Sequence, residues 1–243
     1  MAELEGIWWS TAGDGPVVVL PRLNVDWTPA NLSALTARFR AVVVAPRGFG
    51  PSARPGSYSG TGFVRDVEQV LDHLGIALYA TFGYSMNGAM AARLAVGNPR
   101  VTAVACGGFP LTADLTRMAD RARARNADAG RDRRTWAELV AALDPAAAVA
   151  FWDDLGRLPQ AALAEVACPV KVWWGELDDV LSSLQPPDEL ERHLASRHIE
   201  YDIVPGRDHD GLLDRLDLVL PGVSSWLAER LIPDSGAVHD AGT

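Results

Sequence analysis

The chain repeatedly changes its hydrophobic period. Short, continuous apolar runs occur at Val17–Leu20, Ala41–Ala45, Leu78–Phe82, Val101–Ala105 and Val170–Trp174, and each stops at a polar or Gly/Pro-rich loop. Runs of this length without polar alternation predict strands covered on both faces. The segments between them carry apolar residues at helical spacing. Leu32, Leu35 and Phe39 follow Thr28-Pro29, a cap followed by a proline suited to a first helical turn. Phe63, Val64, Val67, Val70, Leu71 and Leu74 line one helical face that ends at Gly75. Ala89–Ala95, built of strong helix formers, runs towards Gly97-Asn98-Pro99. Ile7–Thr11 reads as an edge strand. Such alternation predicts an α/β fold: a mostly parallel central sheet with helices on both faces.

The pattern breaks near Leu111. From there to Gln160 the chain is rich in Ala and Arg, helical in character and without a strand signal. It then resumes with the Val170 strand, a helix around Asp188–Ala195, a strand at Ile199–Val204 and a last helix through Trp226-Leu227. The expected organisation is therefore a core of residues 1–110 and 161–243, with residues 111–160 inserted as a helical lid. The tail after Pro233 carries little fold.

Composition narrows the classes of function. At 243 residues and 48% hydrophobic, the chain can bury one large core. No apolar run approaches the roughly 18 residues that would cross a bilayer, and Met1-Ala2-Glu3-Leu4-Glu5 lacks a basic-then-apolar leader. The expectation is a cytoplasmic protein without a membrane partner. A net charge of −9 argues against nucleic acid as a partner. Cys106 and Cys168, the two cysteines, sit beside predicted strands and read as inert buried thiols. No His/Cys spacing suits a metal, and no cofactor is expected. The oligomeric state stays open.

Candidate chemistry centres on Gly83-Tyr84-Ser85-Met86-Asn87-Gly88, between a predicted buried strand and a predicted helix. A serine in such a turn is held up and exposed, and the following helix N-terminus aims backbone N–H groups at whatever it attacks. A serine hydroxyl needs a base in hydrogen-bond reach, normally a histidine oriented by a carboxylate. In a parallel sheet all strand C-terminal ends share one edge, where sites form. Ser85, the pair Asp178 and Asp179, and His209 each follow a predicted strand there. His73 and His193 fall in helices, His198 precedes a strand and His239 is in the tail, so His209 is the candidate base.

These residues resemble the α/β-hydrolase superfamily, specifically small lidded serine esterases of bacterial type. The likeness covers nearly the whole chain except the lid. It is carried by Gly83-x-Ser85, Arg47-Gly48-Phe49-Gly50-x-Ser52, Cys168-Pro169-Val170, Gly175-Glu176-Leu177-Asp178 and Gly206-Arg207-Asp208-His209-Asp210-Gly211. The resemblance implies a Ser85, His209, Asp178 triad, its G-x-x-D spacing selecting Asp178 over Asp179. It implies an oxyanion hole from the backbone N–H groups of Met86 and Leu23. The implied activity is cleavage of a small carboxylic ester or lactone, hydrophobic or aromatic, through an acyl-enzyme. Two alternatives stand beside it: another reaction on the same fold (lyase, cyclase, perhydrolase or C–C bond hydrolase), and ligand binding without turnover.

Two residues depart from the family pattern. Arg22 replaces a glycine of the oxyanion loop, where it either points to solvent or offers a cation near the acyl site. Asn87 replaces the glycine two past the nucleophile, where it is either accommodated locally or reaches the pocket. Arg22, Trp27, Tyr84, Asn87, Phe109, Trp136 and Trp152 are the candidate pocket residues. The first half of the lid holds Arg117, Arg121, Arg123, Arg125, Arg131, Arg133 and Arg134 against Asp120, Asp128 and Asp132. That surplus is either a solvated helix face or an attraction for anionic substrates.

Overall fold

The computed structural model describes residues 2–24, 26, 27, 29–131 and 142–231. Eight strands form one sheet: β1 (Ala2–Leu4), β2 (Ile7–Ala12), β3 (Val17–Pro21), β4 (Arg40–Ala45), β5 (Tyr79–Tyr84), β6 (Val101–Gly107), β7 (Val170–Gly175) and β8 (Glu200–Val204). Their spatial order is β1-β2-β4-β3-β5-β6-β7-β8. Pairing is antiparallel at β1–β2 and β2–β4 and parallel elsewhere. The mostly parallel sheet and its helices match the expected α/β architecture. One expectation is corrected: the Ile7 strand is not the edge, because Ala2–Leu4 pairs outside it, with Leu4 opposite Ile7.

Helices cover both faces. On one face, α1 (Pro29–Thr36) and the last helix, α9 (Leu220–Leu231), bury Leu32, Leu35, Val223 and Leu227 against Val18, Leu20 and Phe82. On the other, α2 (Gly60–His73) and α3 (Met86–Ala95) pack Phe63, Val67, Val70, Met90 and Leu94 onto Val19, Val42 and Val104. α7 (Pro187–Ser196) adds Leu190 and Leu194 to that second core. The apolar runs were continuous because both faces of the central strands are covered: every residue of β5 and β7 is buried.

Between β6 and β7 lie two described helices, α4 (Met118–Ala129) and α5 (Pro145–Gly156). The second is capped by Asp144, whose Oδ1 accepts from Ala146 N at 2.9 Å. It is fastened to α3 by an ion pair of Arg93 Nε with Asp154 Oδ2 at 2.7 Å, both side chains largely buried. The described residues also form two short α-helices, α6 (Asp179–Ser182) after β7 and α8 (His209–Leu213) after β8, and a 3-10 turn at Leu216–Leu218. No described helix is long and apolar enough to cross a membrane. The expectations for Thr28, Trp136, His239 and the tail lie outside the described residues.

Candidate active site

Ser85 sits between β5 and α3 with φ 56° and ψ −128°, a left-handed conformation that a side chain adopts only at a cost. The surrounding glycines make it possible. A Cβ on Gly83 would lie 2.2 Å from the carbonyl oxygen of Asn87, so the helix can fold back on the strand only over a bare backbone. Ser85 N–H donates to the Gly107 carbonyl at 2.8 Å, which ties the turn to the end of β6. The hydroxyl is thereby lifted to the C-terminal edge of the sheet.

The loops after β7 and β8 are brought together by the same device. A Cβ on Gly175 would lie 2.1 Å from the Arg207 carbonyl oxygen, and that oxygen accepts from Leu177 N–H at 2.8 Å. Two residues on, His209 begins α8; three residues on from Gly175, Asp178 caps α6. His209 Nε2 is 2.9 Å from Ser85 Oγ. His209 Nδ1 is 2.8 Å from Asp178 Oδ2. Asp178 Oδ1 accepts from Leu181 N–H at 2.7 Å, and the residue is 1% exposed. A buried carboxylate can only accept, so the proton of the neutral imidazole belongs on Nδ1, and Nε2 is left to take one from Ser85. Asp178 therefore meets the histidine, while Asp179 is exposed.

Tyr84 completes this side of the site. Its hydroxyl donates to the His209 carbonyl at 2.9 Å, and the two rings lie 5.1 Å apart. Burial, then the charges of Asp178, Asp210 and Asp208, push the Tyr84 phenol well above its ordinary value, so it stays a neutral donor. Tyr84 supports His209 and does not line the cavity. Asp208 caps α8 by accepting from Gly211 N–H at 2.7 Å, and Asp210 is exposed.

The other side of Ser85 is arranged differently from expectation. Met86 opens α3, so its N–H is among those a helix N-terminus leaves without an intrahelical partner. Leu23 N–H, the expected second donor, is engaged: it donates to Asn87 Oδ1 at 2.8 Å, and Asn24 N–H approaches the same oxygen at 3.4 Å. Asn87 is fully buried. Its side chain fills the space a glycine would leave and ties the β3 loop to α3; it is not a cavity-lining residue. Arg22 turns away from Ser85. It lies over the Trp8 ring at 4.9 Å and pairs with the exposed Asp26 at 3.1 Å.

A cavity of about 730 Å³ opens on Ser85 and Met86. Phe109 and Trp152, stacked at 6.2 Å, line it as expected. Trp27 does not. It is packed at 5.5 Å on Phe82 in the core beneath α1, with Nε1 donating to the Pro21 carbonyl at 2.8 Å. Asn24, Met118, Leu143, Val180 and Leu184 also line the cavity and were not among the candidates, and from the basic surplus of the lid Arg121 and Arg125 reach it. A helical pattern without its packing partner does not say which face turns inward.

With this geometry in view, the sequence comparison is decisive: residues 10–221 match the profile of the Alpha/beta hydrolase family. The chain belongs to that family. No curated protein matches it. Among solved structures, this family member is similar to a thermophilic esterase from Thermogutta terrifontis, with TM-score 0.71 and 20% identity over 93% of this chain and 94% of the other. It is similar to a carboxylesterase of the thaumarchaeon Nitrososphaera gargenis, with TM-score 0.70 and 17% identity over 94% and 97%. An epoxide hydrolase from Vigna radiata is about as similar, with TM-score 0.69 and 16% identity over 92% and 94%. At such identities the likeness is one of fold. Several reactions share it.

Neither cysteine lines the cavity. Cys106 is buried in β6 and Cys168 is half-buried. Burial raises both thiols above their ordinary range, which keeps them protonated. Among the described residues no cluster of three His, Cys, Asp or Glu could hold a metal ion.

Proposed function

We propose that this chain is a serine hydrolase that cleaves carboxylic esters through an acyl-enzyme. The observation that carries the reading is the continuous relay of Ser85, His209 and Asp178 at 2.9 and 2.8 Å, opening on one cavity. Ser85 Oγ attacks the ester carbonyl while His209 Nε2 takes its proton. Asp178 holds the imidazolium that forms. The oxyanion is stabilised by Met86 N–H, and the tetrahedral intermediate collapses as His209 protonates the departing alcohol. Water then attacks the acyl-serine by the same relay, releasing the acid and restoring Ser85.

Residues 111–160 act as a lid over the strand ends in this reading, because α4 and α5 both contribute to the cavity wall. The neighbouring esterase folds support the ester class. Phe109 and Trp152 suit a hydrophobic or aromatic substrate of modest size. A fluorophosphonate probe together with a p-nitrophenyl ester panel tests the reading. Covalent labelling at Ser85 and ester turnover are expected; turnover that persists in Ser85→Ala would contradict it.

One observation favours a second reading, a non-ester reaction on the same fold. The Leu23 N–H group that would stabilise an ester oxyanion is occupied by Asn87. Absence of fluorophosphonate labelling, alongside turnover of a non-ester substrate, would select it.

A further inference from the structure

The cavity above Ser85 has two unlike walls. One is apolar, made of Met86, Phe109, Leu143, Trp152, Val180 and Leu184. The other is α4. A helix face turned to an apolar cavity is ordinarily apolar itself, and Met118, Ala122 and Ala129 follow that rule. Arg121 and Arg125, one turn apart on the same face, break it.

Among the described residues, two arginines of this segment that do not line the cavity are matched within the protein. Arg123 pairs with Asp120 at 2.6 Å, and Arg131 pairs with Asp128 at 2.8 Å. Asp128 also lines the cavity and lies one turn from Arg125, yet its carboxylate bonds Arg131. Among the described residues, the guanidinium groups of Arg121 and Arg125 have neither ion pair nor hydrogen bond, and the Arg121 backbone N–H donates to the Arg117 carbonyl at 3.1 Å. Like charges one turn apart work against a helix; both side chains are exposed and hydrated, and an anion in the cavity would offset their repulsion. In a chain of net charge −9 the long-range field repels anions, and local cations are what would hold one.

We infer that the cavity takes an ester carrying a carboxylate remote from the scissile bond, held by Arg121 and Arg125 while its hydrocarbon part lies along Phe109 and Trp152. This deepens the ester reading and rests on it. The planar guanidinium fork matches a carboxylate, and both side chains reach the cavity while staying exposed, so the pairing is open to screening by salt. The sequence left this basic surplus open between a solvated face and an anion site. Cavity lining separates Arg121 and Arg125 from the paired outer arginines.

The test compares 4-nitrophenyl hydrogen glutarate with 4-nitrophenyl valerate, matched in chain length but different in charge. The kcat/KM ratio of anionic to neutral ester is expected to be about tenfold or more at low salt, the scale of one charged hydrogen-bonding contact. It should shrink in about 0.5 M NaCl, where exposed charges are screened. It should fall towards one in R121Q/R125Q and persist in R123Q. A ratio at or below one in the unaltered protein would overturn the inference. So would an unchanged ratio in R121Q/R125Q with an unaltered melting temperature; R121Q and R125Q singly replace the double variant if it does not fold. Should neither ester turn over, the ester reading falls, and calorimetric titration with glutarate still decides the anion site. Weaker glutarate binding by about tenfold in R121Q/R125Q supports it; equal binding, or none to either protein, overturns it.

Discussion

The two sides of Ser85 are built by different rules. On the acid–base side, each polar group meets the group it needs: Ser85 to His209, His209 to Asp178, and Asp178 to the N–H of Leu181. On the oxyanion side, Met86 N–H stands at the start of α3, but Leu23 N–H is already bonded to Asn87. An N–H has one proton to give. A donor satisfied by a buried side chain serves a transition state only after exchange, so it is not preorganised in the sense that makes oxyanion holes effective. Hydrogen-bond geometry around a nucleophile thus says which steps a site is built for, as well as whether it has a triad.

The largest expected effect breaks the acid–base side. Ser85→Ala or His209→Ala should reduce kcat for a p-nitrophenyl ester by on the order of 10⁶-fold, because triad members act as a unit. Asp178→Asn should cost about 10⁴-fold, since an amide cannot hold the Nδ1–H tautomer or the imidazolium. Steady-state kinetics on the folded variants reads both.

On the oxyanion side the next largest effect belongs to Asn87. Asn87→Gly restores the family residue and frees Leu23 N–H, and kcat should rise by up to about 10²-fold, the scale of one oxyanion donor. A fall in kcat instead would mean that the tether through Asn87 Oδ1 holds the loop in place. The smallest effect belongs to Tyr84. Tyr84→Phe removes one hydrogen bond to the His209 carbonyl, at about 1 kcal/mol of stability in a chemical denaturation curve.

The core was legible because parallel strands buried on both faces leave unbroken apolar runs that alternate with helical periods. The edge was not. Ala2–Leu4 has three residues and too little pattern to register, so the neighbouring strand looked outermost. Within the site, Ser85 stood out by its Gly-flanked turn between a strand and a helix, and His209 by being the histidine in a loop after the last strand. Asp178 and Asp179 were adjacent; the G-x-x-D spacing of the resemblance selected Asp178, and the fold makes that residue a buried cap and leaves Asp179 exposed. Trp27 was misplaced because an aromatic in a loop can turn to either face of the sheet, and here it packs under α1. Asn87 was visible as a departure from glycine, but its bond to Leu23 depends on a side-chain direction that spacing does not encode.

In the proposed reaction Ser85, activated by His209, is the nucleophile. Intact-mass measurement after fluorophosphonate treatment tests it most directly. A single adduct mapped to Ser85, absent in Ser85→Ala and strongly slowed in His209→Ala, is the predicted result. An adduct elsewhere, or equal labelling of His209→Ala and the unaltered protein, would contradict it.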